Sequence, residues 1–195
     1  MGEPSLRILL VDQNAARAAI LEEGLREAGL HDITIVRETQ GLLRRIVDLD
    51  PDVIFIDLEN PNRDVLEQMF QVSRSVRRPI AMFVDHADTE TIRAAIESGV
   101  GAYVVDGLRK DLVKTILDTA VGHFNTFNRM RDELERVHRQ LEDRKLIERA
   151  KGILMKERAL SESDAYAVLR KAAMNENRRI ADIARSIVAT MGLPK

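Results

Sequence analysis

Five short apolar runs rich in Val and Ile recur at wide intervals in the first half of the chain: RILLVD (7–12), ITIV (33–36), DVIFID (52–57), PIAMFV (79–84) and AYVV (102–105). Each is too short for a buried helix and carries the residues that suit a pleated, fully covered surface, so each reads as a strand. Amphipathic stretches lie between them, such as AARAAILEEGLREA (15–28), closed by Gly29, and DTETIRAAIESG (88–99). A last one, LRKDLVKTILDTAV, follows the fifth strand. Strand–helix alternation of this kind demands a parallel sheet with helices on both faces. The expected fold class is therefore α/β, a doubly wound five-stranded parallel sheet. In such sheets the functional site lies beyond the carboxyl ends of the strands.

Those ends are acidic. Strand one ends in Asp12, strand three in Asp57, strand four in Val84-Asp85 and strand five in Asp106-Gly107. Asp12, Asp57, Asp85 and Asp106 are thus expected to form an acidic pocket. Two or more converging carboxylates can hold a hard cation such as Mg²⁺ and leave one Asp as a phosphoryl acceptor. Taken singly, a strand-end Asp is more often a cap for the next helix.

The whole chain narrows the classes. With 45% apolar and 32% charged residues it has the composition of a soluble globular protein, and 195 residues suffice for one or two domains. It has no cysteine, which excludes disulfides, thiol nucleophiles and Cys-based metal sites. The opening MGEPSLRILLVD lacks the pattern of a secretory signal, and no uncharged apolar run approaches membrane-spanning length, so a cytoplasmic location and no membrane partner are expected. Charge is unevenly spread: residues 1–122 sum to −7 and residues 123–195 to +5. An acidic front half and a basic back half suggest a regulatory module joined to a polyanion-binding one, although a solvated helical surface would give the same balance.

In order and spacing, ILLVDQN, PDVIFIDLENP and SGVGAYVVDGL resemble the receiver domain of two-component response regulators, over about residues 5–122. The resemblance implies that Asp57 is the phosphoacceptor position and Asp12 the first of an acidic pair. It also exposes departures. The second acid of the pair is Gln13, the switch hydroxyl after strand four is Val84, and the expected Lys-Pro after strand five is Asp106-Gly107. An anion at the position of a neutralising cation opposes an added phosphoryl charge. The expectation is a receiver fold in which Asp57 is weakly used or unused and Mg²⁺ binds at most weakly.

The back half is helical. From Lys110 to about Glu157 there is no Pro and only Gly122 and Gly152 interrupt good helix formers. Phe127, Met130, Leu134, Val137 and Leu141 follow the 3-4 spacing of a coiled-coil seam, which predicts a homodimer through a linker helix over 123–144. Beyond it, Leu146, Ile147, Ala150, Ile153 and Leu154 make one apolar arc. Lys145, Arg149 and Lys156 make a second, cationic stripe with Gly152 inside it. Arg144, Lys151 and Arg158 lie on the other flank. Ser161 and Asp164 give a capping signal for a following helix. A last helix is expected to begin near Asn177 and to bury Ile180, Ile183, Ile187 and Val188. Residues 145–195 should thus form a small three-helix bundle.

ERAKGILM (148–155), SESDAY (161–166) and LRKAAM (169–174) resemble the ANTAR domain, the RNA-binding output module of transcription antiterminators, over about residues 135–192. DLENPNRDVLEQM, RPIAMFVD and AYVVDGL look in particular like the NasT-type members of the AmiR/NasT family. That resemblance implies binding to paired hairpins of a leader mRNA, which prevents a terminator from forming, in nitrate or nitrite assimilation. It also implies control by a NasS-like nitrate/nitrite sensor protein rather than by phosphorylation. Lys145, Arg149, Lys151, Gly152, Lys156, Arg170, Arg178 and Arg179 are the expected RNA-binding residues. Two other readings stay open: a response regulator with a DNA-binding helical output controlled through Asp57, and an enzyme or phosphorelay carrier using Asp12 and Asp57. The four His residues (31, 86, 123 and 138) show no metal or relay spacing, and no nucleophile–base pair is suggested, so no enzyme, small-molecule substrate or resident metal is expected.

Overall fold

The computed structural model describes residues 6–191; the outermost residues of the two expected terminal domains lie outside that range. The chain forms two compact units, Met1–Asn128 and Arg129–Lys195.

The first unit is built on strands β1 (Ile8–Asp12), β2 (Ile33–Val36), β3 (Val53–Leu58), β4 (Ile80–Val84) and β5 (Ala102–Val105). All pair in parallel, in the order β2-β1-β3-β4-β5. The three inner strands are buried at every residue, which explains why they read as continuous apolar runs rather than alternating ones. Helices α1 (Ala15–Glu27), α2 (Leu42–Leu49), α3 (Arg63–Ser75) and α4 (Thr89–Glu97) connect them. Three of these begin on a capping side chain: Asn14 accepts from the N–H groups of Ala16 and Arg17, Asn62 from Val65, and Asp88 from Thr91.

Alternate strand residues feed two cores. On one face Leu9, Val11, Ile54, Ile56, Ile80, Met82 and Val84 pack with Met69, Phe70, Val72 and Ala95 of α3 and α4. On the other, Ile8, Leu10, Phe55 and Phe83 pack with Leu21 and Leu25 of α1 and with Val113 and Leu117. The last two belong to α5 (Val113–Arg158), a 46-residue helix that follows a 3₁₀ turn at Lys110–Leu112.

The second unit comprises the end of α5 with α6 (Glu162–Glu176) and α7 (Ile180–Met191). Ala150, Leu154, Ala165, Leu169, Ala173, Ile183 and Ala184 form its core. Ser161 caps α6 by accepting from the Asp164 N–H at 3.1 Å. The expected start of the last helix near Asn177 is corrected: Asn177 ends α6 in the left-handed conformation, with φ 51°, and α7 starts three residues later. Asn tolerates that conformation and serves as a helix stop.

Candidate functional site

Parallel register places the ends of β1 and β3 side by side, and Asp12 pairs directly with Asp57. Both carboxyl groups are buried. They line a cavity of about 360 Å³ with Gln13, Asn14, Glu59, Asn60 and Asn62 from the two following loops. Asp12 accepts from the Asn14 N–H at 2.7 Å through one oxygen, while its Oδ2 is buried with no hydrogen-bond partner among the described residues. Burial pushes the Asp12 carboxyl up to about 6, against the pull of the Asn14 N–H, and the neighbouring Asp57 adds to the rise.

A cation absent from the sequence reading dominates this pocket. Arg17, in the first turn of α1, donates from Nε to Asp57 Oδ2 at 2.7 Å and from Nη2 to Asp57 Oδ1 at 2.8 Å. Its third nitrogen, Nη1, reaches Asp85 Oδ1 at 2.8 Å. Asp57 has no exposed side-chain surface and Arg17 only 18%. Donating hydrogen bonds to Asp57, whose charge adds to the effect, raises the guanidinium pKa further above its already high ordinary value. Arg17 escaped detection because its partners lie 40 and 68 residues away in sequence. The Asn14 caps at Ala16 and Arg17 are the local signal that fixes where α1 starts and hence where this side chain sits.

The four-carboxylate pocket is corrected accordingly. Asp12 and Asp57 converge, and Asp85 joins them only through Arg17. Asp106 is exposed, in a left-handed conformation with φ 50°, and makes no side-chain hydrogen bond or ion pair among the described residues. Glu59, unpredicted, lines the cavity and accepts from Asn14 Nδ2 at 3.3 Å. For Mg²⁺ the arrangement does not fit: both Asp57 oxygens are already engaged by Arg17, and among the described residues no three carboxylate or imidazole groups converge as ligands. Val84 is buried, with no hydroxyl to offer, and the Tyr103 hydroxyl on neighbouring β5 is buried without a partner among the described residues.

In the second unit the predicted cations divide. Lys151 is buried and bonded to Glu148 and Glu162, so it is withdrawn from the exposed surface. Arg178 pairs with Glu176, and Arg179 with Asp182 and Asp143; Lys145 pairs with Glu142. Arg149, Lys156 and Arg170 are exposed and have no carboxylate partner among the described residues. Gly152 is exposed between Arg149 and Lys156, and a Cβ built there would meet nothing within 4 Å. It lies about 200° round the helix from buried Ala150. The expected seam residues Phe127, Met130, Leu134, Val137 and Leu141 are all exposed along α5.

The strand order and the paired Asp12 and Asp57 at the strand ends define a receiver domain, here with an internal cation in its acidic pocket. The response regulator receiver domain model matches residues 8–118, and the ANTAR domain model matches residues 135–188. The chain belongs to the response regulator receiver family and carries an ANTAR domain after the receiver. It is 27% identical over 190 residues to the transcriptional regulatory protein PdtaR of Mycobacterium tuberculosis, covering 97% of this chain and 92% of that one. It is 33% identical over 88 residues to the nitrate regulatory protein of Klebsiella oxytoca, covering 45% of this chain but only 22% of that one. Among solved structures, the receiver domain of a modulated diguanylate cyclase from Desulfovibrio desulfuricans G20 superposes with a TM-score of 0.53 at 20% identity, over 63% of this chain and 98% of that one. A CheY-like receiver protein from Methanospirillum hungatei JF-1 gives 0.52 at 18% identity, over the same shares. Both likenesses concern the fold.

Proposed function

We propose that this response regulator is an RNA-binding transcription antiterminator that acts on paired hairpins of a leader mRNA. The observation that carries the reading is the open face at Arg149, Gly152 and Lys156, inside the segment that matches the ANTAR domain. Two unpaired cations flanking a position with no side chain let a phosphate backbone or an unstacked base come close to the helix surface. Arg170 extends the charge. Lys145, Arg178 and Arg179 can contribute once their carboxylate partners are exchanged for phosphate. A homodimer through the α5 seam would present two such faces, and two linked hairpins would then bind with raised effective concentration.

The genes controlled are those of nitrate or nitrite assimilation in this reading, a choice supported by the partial match to a nitrate regulatory protein. Control comes from a cytoplasmic NasS-like sensor protein that holds the regulator until nitrate or nitrite releases it. The engagement of both Asp57 oxygens supports control by such a partner rather than by phosphorylation. No step of chemistry is catalysed. No helix among the described residues is long and apolar enough to cross a membrane, in keeping with a cytoplasmic regulator.

A band shift with the full chain tests the reading. A two-hairpin leader RNA should bind in preference to duplex DNA of matched length. Arg149→Ala and Lys156→Ala should each weaken binding and lower the slope of log affinity against log salt by about 1. Preference for duplex DNA, or affinity unchanged in the double variant, would remove this reading.

A further inference from the structure

The acidic pocket contains three carboxylates, Asp12, Asp57 and Asp85, and one guanidinium that reaches two of them. The guanidinium occupies the space between Asp57 and Asp85. Arg17 Nε and Nη2 lie in a fork on the two oxygens of Asp57, and Nη1 points the opposite edge of the same plane at Asp85. A divalent cation bound between these groups would need the Asp57 oxygen that Arg17 now holds. A basic side chain at the end of β5, which would neutralise a phosphoryl group, is replaced by the exposed Asp106. One residue thus stands where two separate positive groups would otherwise be required.

We propose that Arg17 is a tethered cation that fills the places of both the metal ion and the phosphoryl counter-ion, holding the receiver in one state indifferent to Mg²⁺ and to phosphoryl donors. Three features of the pocket support this. First, Asp57 is fully covered, so neither of its oxygens is presented to an incoming phosphorus atom. Second, the guanidinium stays charged at every physiological pH and its planar fork matches a carboxylate bidentately, which an ammonium group cannot do. Third, Arg17 stands in the first turn of α1 while Asp57 is the last residue but one of β3 and Asp85 follows β4 directly, so the contact also fastens that helix to the ends of two strands. The proposal concerns the receiver alone and stands whether or not the second unit binds RNA.

The test is metal binding to the full chain, read with Mn²⁺, whose free-ion paramagnetic resonance disappears on binding, and with Mg²⁺ by calorimetry. The native protein should show no saturable binding of either ion at millimolar concentration. Arg17→Ala should free Asp57 and Asp85 beside Asp12 and gain affinity by about tenfold or more, as removal of a unit positive charge next to these carboxylates requires. Beryllofluoride, an acyl-phosphate mimic, should then add to the Mg²⁺-loaded variant and not to the native chain. Arg17→Lys, which keeps the charge but loses the fork, should fall between the two and serves if the alanine variant fails to fold. Native protein that binds Mn²⁺ as tightly as a folded Arg17 variant overturns the proposal. So does a folded Arg17→Ala chain that binds neither ion. RNA binding enters none of these measurements.

Discussion

Lys151 Nζ donates to Glu162 Oε1 at 2.6 Å and to both carboxylate oxygens of Glu148 at 3.0 Å, so the most buried cation of the second unit ties α6 to α5. Glu162 holds the ammonium in its charged form, and Lys151 in turn draws the Glu162 carboxyl below its ordinary range. Lys151→Ala should therefore lower the melting temperature of the chain, and its RNA affinity should fall only in proportion to the unfolded fraction. Arg149→Ala should leave melting unchanged and weaken RNA directly. Thermal melts and band shifts on the same two variants separate the roles. An unchanged melting temperature in Lys151→Ala, with RNA binding lost, would return Lys151 to the interface.

The seam on α5 makes a prediction about assembly. Met130 and Leu134 are 66% and 69% exposed, values that a helix packed on its own domain would not show at five successive heptad-spaced positions. A second copy of the chain would cover such a stripe in a coiled coil. Leu134→Glu, alone or with Met130→Glu, should convert the dimer to a monomer in sedimentation equilibrium and reduce affinity for a two-hairpin RNA far more than for one hairpin. A native chain that sediments as a monomer at micromolar concentration sinks the idea.

The Asp12 carboxyl predicts how stability responds to pH. Its folded value near 6 lies above its ordinary value of 3.8, so the folded state holds this proton more tightly than the unfolded one. The resulting stability is fully present below about 4 and is lost as pH rises through about 6. The carboxylates of exposed Asp50 and Asp88 and of half-buried Asp52 are shifted the other way and give up their contributions only on further acidification. Between pH 7 and pH 4.5 the chain should become more stable, by on the order of 1–3 kcal/mol. Asp12→Asn should flatten that rise. Urea melts at several pH values measure it; a profile unchanged by Asp12→Asn counts against the assignment.

Much of this was legible in the sequence, for physical reasons that also mark where legibility ends. AYVV and ITIV gave strand limits to the residue because β-branching acts locally, even though these two edge strands are only partly buried. Asp12 and Asp57 were expected to converge because both close strands at the carboxyl end of one parallel sheet, and the pairing of β1 with β3 sets them side by side. Arg17 was hidden because nothing local to α1, which also carries Arg26, says that its side chain turns over the strand ends. Lys151 was misplaced for a related reason. A helical projection shows which residues share a face, but not that Glu162 of the next helix descends onto one of them.

The Tyr103 hydroxyl is buried with no partner among the described residues, and burial raises its pKa. An unsatisfied buried hydroxyl costs about 1–3 kcal/mol in desolvation, and removing it leaves the ring's packing intact. Tyr103→Phe should therefore be neutral or stabilising by up to about 1 kcal/mol in chemical denaturation. Clear destabilisation would mean that the hydroxyl is hydrogen-bonded in solution, by water or by a partner.

Two glycines inside helices should respond oppositely to the same substitution. At Gly24, in α1, an added Cβ would stand 2.7 Å from Val113 Cγ2 and 2.9 Å from the Lys110 carbonyl oxygen. The glycine is there because α1 packs against the turn that begins α5, and Gly24→Ala should cost about 1–3 kcal/mol through overpacking. At Gly152 nothing lies within 4 Å, so packing within the chain does not require it. Gly152→Ala should stabilise the helix by up to about 1 kcal/mol, the difference in intrinsic propensity. A residue that weakens its own helix without easing any contact is explained if something outside the chain approaches it. Gly152→Leu should then fold as well as the native protein and bind leader RNA more weakly. Native-like RNA affinity in folded Gly152→Leu would place the RNA on another face of the bundle and leave the glycine without a role.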